Sequence, residues 1–503
     1  MADYSFIPLR DVDESRPPEG WTGPWDPAAR RRRWLREAEP CRDGAYVLYW
    51  MQMYQRHRSN PALEEAIRRA DDLGLPVVVY QGLNADYPGA SARLHRFILE
   101  SARDVARGLR DRGIPYVFYL RSEDDRRDAA AEMIRESALT VTDDFPAYIL
   151  PEMTRRALAH TEEAGVPVLA VDGNGVVPMD EIEERQYAAY TIRPRIHRRL
   201  PSYLHPVDEG EPEIGARPEL PVDGLGEALV RADDGDLDAW IQAAGVDRSV
   251  EPSLRFRGGR RAGLRRLESF VEEDLADYAE LSRDPGADVS SGLSPYLHFG
   301  CVSAREAALR VLGATAAPDE SVDAFLEQLV VRRELAYNFC RRVDEHASLS
   351  VLPDWARTTL SEHADDPRNP AYDADTLEAA ETHDEVWNAA QRELVATGTI
   401  QGYLRMLWGK QIIRWTESYQ EALDLMIDFH HRYALDGRNP NTYANVLWCF
   451  GLHDRAFQET PILGKTRPMS SDRTRQKFDL DPYFERVDRW VAERSPAGRE
   501  GEA

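Results

Sequence analysis

The chain has little to cross-link or coordinate a metal with. Its four cysteines, Cys41, Cys301, Cys340 and Cys449, stand far apart with no C-x-x-C spacing. That argues against a disulfide scaffold and against a zinc site. No apolar run approaches the roughly 18–20 residues needed to span a bilayer, and core-like runs such as residues 76–80 suit buried strands. The first twenty residues carry Asp3, Arg10, Asp11, Asp13, Glu14 and Arg16 and no hydrophobic stretch, so no secretory signal or membrane partner is expected and a cytoplasmic location is the default. A G-x-G-x-x-G after the first expected strand is also missing, so nothing points to an ordinary dinucleotide fingerprint. Positive charge is in deficit: Lys and Arg total 63 against 88 Asp and Glu, a net charge of −25. That balance looks wrong for a nucleic-acid binder, because neutralising phosphate needs cations.

A length of 503 residues implies two to three domains, and 42% apolar with 30% charged residues is the composition of a soluble globular protein, here expected to be a monomer. Residues 1–40 are Pro-rich, then basic through Arg30, Arg31, Arg32 and Arg33, and read as an irregular leader entering a first helix. Over 41–178, strands expected at 45–50, 76–80, 115–120, 139–142 and 167–171 alternate with amphipathic helices at 61–73, 91–112 and 128–136. That alternation predicts an α/β domain with a parallel, Rossmann-like sheet. Residues 179–255 read as a connector broken repeatedly by proline. From 256 to 491 the pattern is that of an all-α domain, with helices expected at 261–281, 304–312, 322–340, 377–382, 384–396, 400–415 and 419–433. A short polar tail occupies 492–503.

Three features could carry chemistry. Trp408 and Trp415 are seven residues apart in a helical segment and share one face, Trp387 lies on the preceding helix, and the Thr397-Gly398-Thr399 turn folds the two helices together. Tryptophans at this spacing are ordinarily core, and the functional alternative is a row of oxidisable side chains leading to a buried redox cofactor. Ser290-Ser291-Gly292-Leu293-Ser294 precedes a helix, where small residues let backbone N–H groups approach a phosphate or simply cap the helix. Arg405 sits on an otherwise apolar helix and needs an acid or an anion; Asp436 is a candidate partner. Lys465, Arg467, Arg473, Arg475 and Lys477 face one acid, Asp472, so the acidic body still carries a local basic run, whether a solvated surface or a binding patch.

The stretch Leu293-Ser294-Pro295-Tyr296-Leu297-His298-Phe299-Gly300 resembles the flavin-phosphate segment of photolyases. Phe325 to Leu335, Thr382-His383-Asp384 with Trp387-Asn388-Ala389, Gly402 to Trp408, Leu435 to Asn441 and His453-Asp454-Arg455 are similar to class II cyclobutane-pyrimidine-dimer photolyases, in family order and spacing. Val47 to Met51, Asp172 to Pro178 and Tyr187-Ala188-Ala189 agree more loosely. The resemblance implies the photolyase/cryptochrome fold, FAD as cofactor, UV-damaged DNA as partner and light-driven repair of pyrimidine dimers. Part of the selectivity would come from the ease of flipping out a poorly stacked lesion.

On this resemblance Tyr278 and Ser290, Ser291, Gly292, Leu293 and Ser294 hold the FAD phosphates. Arg405 and Asp436 flank the flavin ring, and Trp408, Trp387 and Trp415 conduct electrons. Gln328, Met406 and Trp448 line the lesion pocket, and Arg455, Lys465, Arg467, Arg475 and Lys477 contact DNA. Three positions depart from the family: Gln328 replaces a Glu, His430 an Asn near the flavin, and Phe457 an aromatic that is usually Trp. Gln keeps the hydrogen bond but supplies neither negative charge nor proton. These departures leave open a photolyase-like light sensor or a repair enzyme for another photoproduct. An electron-transfer flavoprotein that binds no DNA is the remoter alternative. A second, antenna chromophore of deazaflavin or folate type is expected, with no residues that identify its site.

Overall fold

Asn60 shows how local chemistry starts the architecture: its side chain accepts the N–H groups of Ala62 and Leu63, Pro61 opens the helix, and Gly74 closes it in the left-handed region. The computed structural model describes residues 4–12, 16–18, 25–122, 125 and 127–494. Parts of the leader, and the tail from 495 to 503, lie outside the described residues.

Six strands form one sheet: β1 Arg32–Arg36, β2 Tyr46–Trp50, β3 Val77–Leu83, β4 Tyr116–Leu120, β5 Ser137–Asp143 and β6 Val168–Val171. Their order is β1-β6-β5-β2-β3-β4, parallel throughout except for β1, which runs antiparallel to β6 at the edge. Helices α1 Pro61–Leu73, α2 Ala92–Asp111, α3 Ala129–Arg135 and α4 Leu150–His160 alternate with the strands. Strand β1 corrects the expectation that the leader runs straight into a helix. Its arginines find partners across the sheet edge: Arg32 pairs with Glu65, Arg33 with Asp144, and Arg36 donates to Thr161 and Val166. A strand held by side-chain pairing rather than apolar alternation has no periodic signature.

The stretch read as a proline-broken connector contains three helices, α5 Ala189–Tyr203, α6 Gly226–Arg231 and α7 Asp234–Ala243. Pro194 and Pro201 lie inside α5, which persists because Ile192, Ile196 and Leu200, one turn apart, are fully buried. The remainder is helical: α8 Arg260–Ser269, α9 Tyr278–Leu281, α10 Ser294–His298, α11 Ala304–Leu312, α12 Asp319–Leu326, α13 Arg333–Arg342, α14 Asp354–Glu362, α15 Ala374–Glu378, α16 Glu385–Thr397, α17 Gly402–Trp415, α18 Tyr419–Tyr433, α19 Pro440–Cys449, α20 Ser471–Lys477 and α21 Asp481–Arg494. Between α12 and α13 the run expected as one helix widens into a π-helical segment, Glu327–Arg332. Such segments cluster at functional sites. One hydrophobic cluster joins Val47, Val79 and Val141 of the sheet to Trp387, Leu407 and Trp408 of the helices.

Candidate active site

Asp384 caps α16 by accepting the N–H of Trp387, and Gly398 ends that helix in the left-handed region at φ 86°. Gln401 then caps α17 through the N–H groups of Tyr403 and Leu404. These two caps set the register in which the tryptophans meet. Trp387 lies between the other two: 6.4 Å from Trp408 with parallel rings, and 5.5 Å from Trp415 at 72°. Trp408 donates to Gln391 Oε1 at 2.9 Å, and Trp387 to the Trp408 carbonyl at 3.0 Å, so neither indole N–H is left unpaired. Trp415 ends the row edge-on to Tyr372 and His383.

The inner end of the row meets a polar cluster. Trp408 lies edge-on to His430 at 5.3 Å. Arg405 donates through both terminal nitrogens to the two Asp436 oxygens at 3.2 Å. Burial alone would raise the Asp436 pKa, but the Arg405 cation and hydrogen bonds from Arg405 and Ser294 outweigh it and hold the carboxylate below its ordinary value. His430 goes the other way: burial first, then the Arg405 cation, push it down to about 4, so its ring is neutral near pH 7. Its Nδ1 lies 2.6 Å from the Met426 carbonyl. Gly437 makes the cluster possible, because a Cβ there would stand 1.8 Å from the His430 carbonyl oxygen. The structure thus brings Ser294, Arg405, Asp436, His430 and Trp408 together.

The loop before α10 is held from behind. Arg266 donates to the carbonyls of Ser290 and Ser291 and pairs with Asp274. Gly292 adopts φ +59°, and a Cβ there would press on Arg266 Nε at 3.0 Å. These carbonyls are turned onto Arg266, while the Ser294 hydroxyl goes to Asp436, Ser291 Oγ accepts the Leu293 N–H and the Ser290 N–H goes to the Asp288 carbonyl. Tyr278 stands apart from the loop in hydrogen bonding: its ring is edge-on to Phe270 and Phe325, and burial pushes its phenol up to about 12.

A second face is built around the π-helical segment. Glu327 pairs with Arg193 and Arg332, Arg332 lies over the Trp448 ring at 5.4 Å, and Trp448 is edge-on to His453. Gln328 is exposed beside Glu327, and Met406 reaches Cys449, the neighbour of Trp448.

The sequence profile described as DNA photolyase matches residues 47–213. A deoxyribodipyrimidine photo-lyase of Methanothermobacter thermautotrophicus is 38% identical over 460 residues, 91% of this chain and 98% of that protein. One from Potorous tridactylus is 34% identical over 442 residues, 88% of this chain and 81% of its own length. The chain belongs to the DNA photolyase family. An archaeal photolyase from Sulfolobus tokodaii, solved with two FAD molecules, shares the fold at a TM-score of 0.61 and 16% identity, covering 89% of this chain and 90% of that one.

The residues present fit the FAD of a DNA photolyase. Arg405 Nε is buried without a hydrogen-bond partner although its two terminal nitrogens are satisfied, which leaves a donor for an anionic or carbonyl edge. The basic run is less free than its sequence suggests. Arg467 pairs with Asp454, Arg475 with Glu385, and Lys465 stands 4.0 Å from Glu459. Arg455 and Arg467 both lie over Phe457, and Lys477 lies over Tyr403 and Phe478.

Arg266, Arg193 and Arg332 were not singled out by spacing or composition. Their ion-pair partners lie 5 to 134 residues away, Glu327 being at once the nearest, to Arg332, and the farthest, to Arg193. A further cleft opens at the carboxyl ends of β2 and β3, lined by Met51, Gln52, Gln55, Asn84, Tyr148 and Arg438. It lies where the strand order reverses, the usual ligand position in open α/β sheets. The side-chain oxygens of Gln52 and Gln55 and the Tyr87 hydroxyl are buried there without partners.

Proposed function

We propose that this chain repairs cyclobutane pyrimidine dimers in DNA with light, using FAD, and that it is a class II enzyme. The reading rests on one observation above all: a row of three tryptophans in ring contact, Trp387 stacked on Trp408 and edge-on to Trp415, ends against the Arg405–Asp436–His430 cluster, where a flavin ring would be gripped. Family membership and the class II motif series support the rest. The α/β half, 41–178, is assigned as antenna domain and residues 256–491 as the FAD domain.

In this reading Tyr278 and the 290–294 loop hold the FAD phosphates, and Arg405 and Asp436 fix the ring. When bound, fully reduced FAD would lend a photoexcited electron that opens the cyclobutane ring and would take it back once the two pyrimidines have separated. The fixed Arg405 cation favours negative charge beside it without reorganisation. Asp436 keeps that cation oriented, and neutral His430 keeps a second positive charge out of the site. Trp415, Trp387 and Trp408 would relay electrons inward from an external reductant to bring oxidised flavin to its reduced form before repair, and would take no part in the repair cycle itself. Gln328, Met406 and Trp448 take the flipped-out dimer, Gln328 by hydrogen bonding and the other two by apolar contact. Arg455, Lys465, Arg467, Arg475 and Lys477 contact the DNA backbone. The cleft at the ends of β2 and β3, with its unpartnered amide oxygens, takes a second chromophore whose edge carries hydrogen-bond donors, as the N3–H edge of a deazaflavin or of a folate pterin does.

The deciding experiment illuminates fully reduced protein with an oligonucleotide containing one thymine dimer. Light-dependent loss of the dimer is the expected result; its absence, in protein that carries FAD, overturns the repair reading.

A further inference from the structure

Residues 185–203 carry Arg185, Arg193, Arg195, Arg198 and Arg199 and no Asp or Glu, although Arg193, Arg195 and Arg199 pair with Glu327, Glu184 and Glu181 outside the stretch. Two large aromatic side chains stand in the open at its start. Tyr187 is 66% exposed and Tyr190 73% exposed, the two highest values among the described large hydrophobic residues. Leaving two phenol rings in water gains nothing for folding, and exposed aromatics interleaved with arginine are what single-stranded bases and their phosphates recognise.

The position narrows the partner. The Tyr187 carbonyl is tied to His453 Nδ1 at 2.8 Å, and His453 lies against Trp448. Arg185 is placed over both the Tyr187 and Phe339 rings, so the Tyr187 ring is backed by a cation. Arg193 pairs with Glu327, next to Gln328. The two tyrosines therefore flank the face to which the lesion pocket is assigned, and the inference rests on that assignment.

Flipping a dimer out of a duplex removes two bases from the stack and leaves two on the complementary strand without partners. The dimer itself is accommodated by Gln328, Met406 and Trp448. The flanking pairs keep their own stacking. The bases still in need of an aromatic surface are the two orphans opposite the lesion.

We propose that Tyr187 and Tyr190, with Arg185 behind the first, form a stacking platform for the unpaired bases of the complementary strand. The platform stabilises the opened duplex and leaves the chemistry at the flavin untouched. It also explains why the chain can bind a damaged duplex with a basic run whose charges are largely spoken for: part of the affinity comes from stacking, which does not depend on net charge.

The test uses FAD-loaded full-length protein carrying Tyr187→Ala and Tyr190→Ala together. Affinity is measured for a dimer-containing duplex and for the same dimer-containing strand alone. Stacking on two bases predicts a loss of roughly ten-fold or more on the duplex, with unchanged affinity for the single strand and unchanged flavin photoreduction. The paired Tyr→Phe variant keeps the ring and should bind the duplex like wild type. An equal loss on single strand and duplex, or no loss on either, overturns the proposal.

A second measurement needs no variant. 2-Aminopurine placed opposite the dimer should be quenched when wild-type protein binds, and bright emission overturns the platform. Should wild-type protein not prefer the dimer duplex over undamaged duplex, the repair assignment itself fails, a result distinct from either of these.

Discussion

Trp387 stacks on Trp408 with ring planes 1° apart and donates its indole N–H to the Trp408 backbone carbonyl. The contact that would carry an electron is thus also a structural tie. Trp387→Phe should abolish most flavin photoreduction while protein reduced chemically beforehand still repairs. It should cost about 1 kcal/mol for the lost hydrogen bond, plus a cavity contribution. Transient absorption and urea melts check the two parts separately. Unchanged photoreduction would return these residues to a purely packing role.

Asp436→Asn removes the charge facing Arg405. Both side chains are largely buried, so an uncompensated cation is expected to destabilise the protein by about 3–5 kcal/mol and to release FAD. In the wild type the folded Asp436 pKa is depressed. Its stabilising contribution is therefore present at neutral pH and is lost as pH falls below about 4, through the folded value. Flavin fluorescence on acid titration reads the release directly, and retention of FAD by the Asn variant at pH 7 would contradict this account.

His430 predicts a different pH window. His57, His95 and His453 are, like it, held near 4 by burial. The unfolded chain takes up these protons near pH 6.5, so folded stability is complete above that value and falls as pH drops toward 4. Each such group contributes up to about 1.4 kcal/mol per pH unit. His430→Asn should lower the slope of unfolding free energy between pH 6.5 and 4.5 by one proton's worth. Denaturant midpoints at three pH values suffice to measure it, and an unchanged slope would place the acid lability elsewhere.

Gln328 is exposed, so Gln328→Glu should change stability by less than about 0.5 kcal/mol. Arg332 and Arg193 lie close by, each paired to Glu327, and would tolerate a second carboxylate. Repair yield per absorbed photon is the readout. A large rise identifies the natural Gln as tuned to a different lesion; a fall shows that this site works with a neutral amide.

Much of this was legible beforehand because it is periodic or local. The strands β2 to β6 announce themselves as short apolar runs, and α1, α11 and α18 begin and end where caps and spacing put them. The tryptophans were visible as a set, but the order Trp408–Trp387–Trp415 depends on two capped helices meeting, which spacing does not encode. β1 escaped because its arginines are satisfied by Glu65 and Asp144, far along the chain. α5 escaped because packing of Ile192, Ile196 and Leu200 overrides two prolines. The Arg405–Asp436 pair was readable from the need of a cation on an apolar helix for an acid. The π-helical turn at Gln328 leaves no mark in composition at all.

The hydrophobic cluster that joins Val47, Val79 and Val141 to Trp387, Leu407 and Trp408 has a consequence for how such chains diversify. With that shared interior, and with Arg56, Arg93, Arg333 and Glu334 tied across it to the opposite half, the α/β half is not a cassette. Grafting it from a relative with a different light-harvesting pigment would exchange one face of a shared interior. Changes in spectral range are therefore expected to arise by substitutions lining the cleft at the ends of β2 and β3, one residue at a time, with the sheet beneath left as it is.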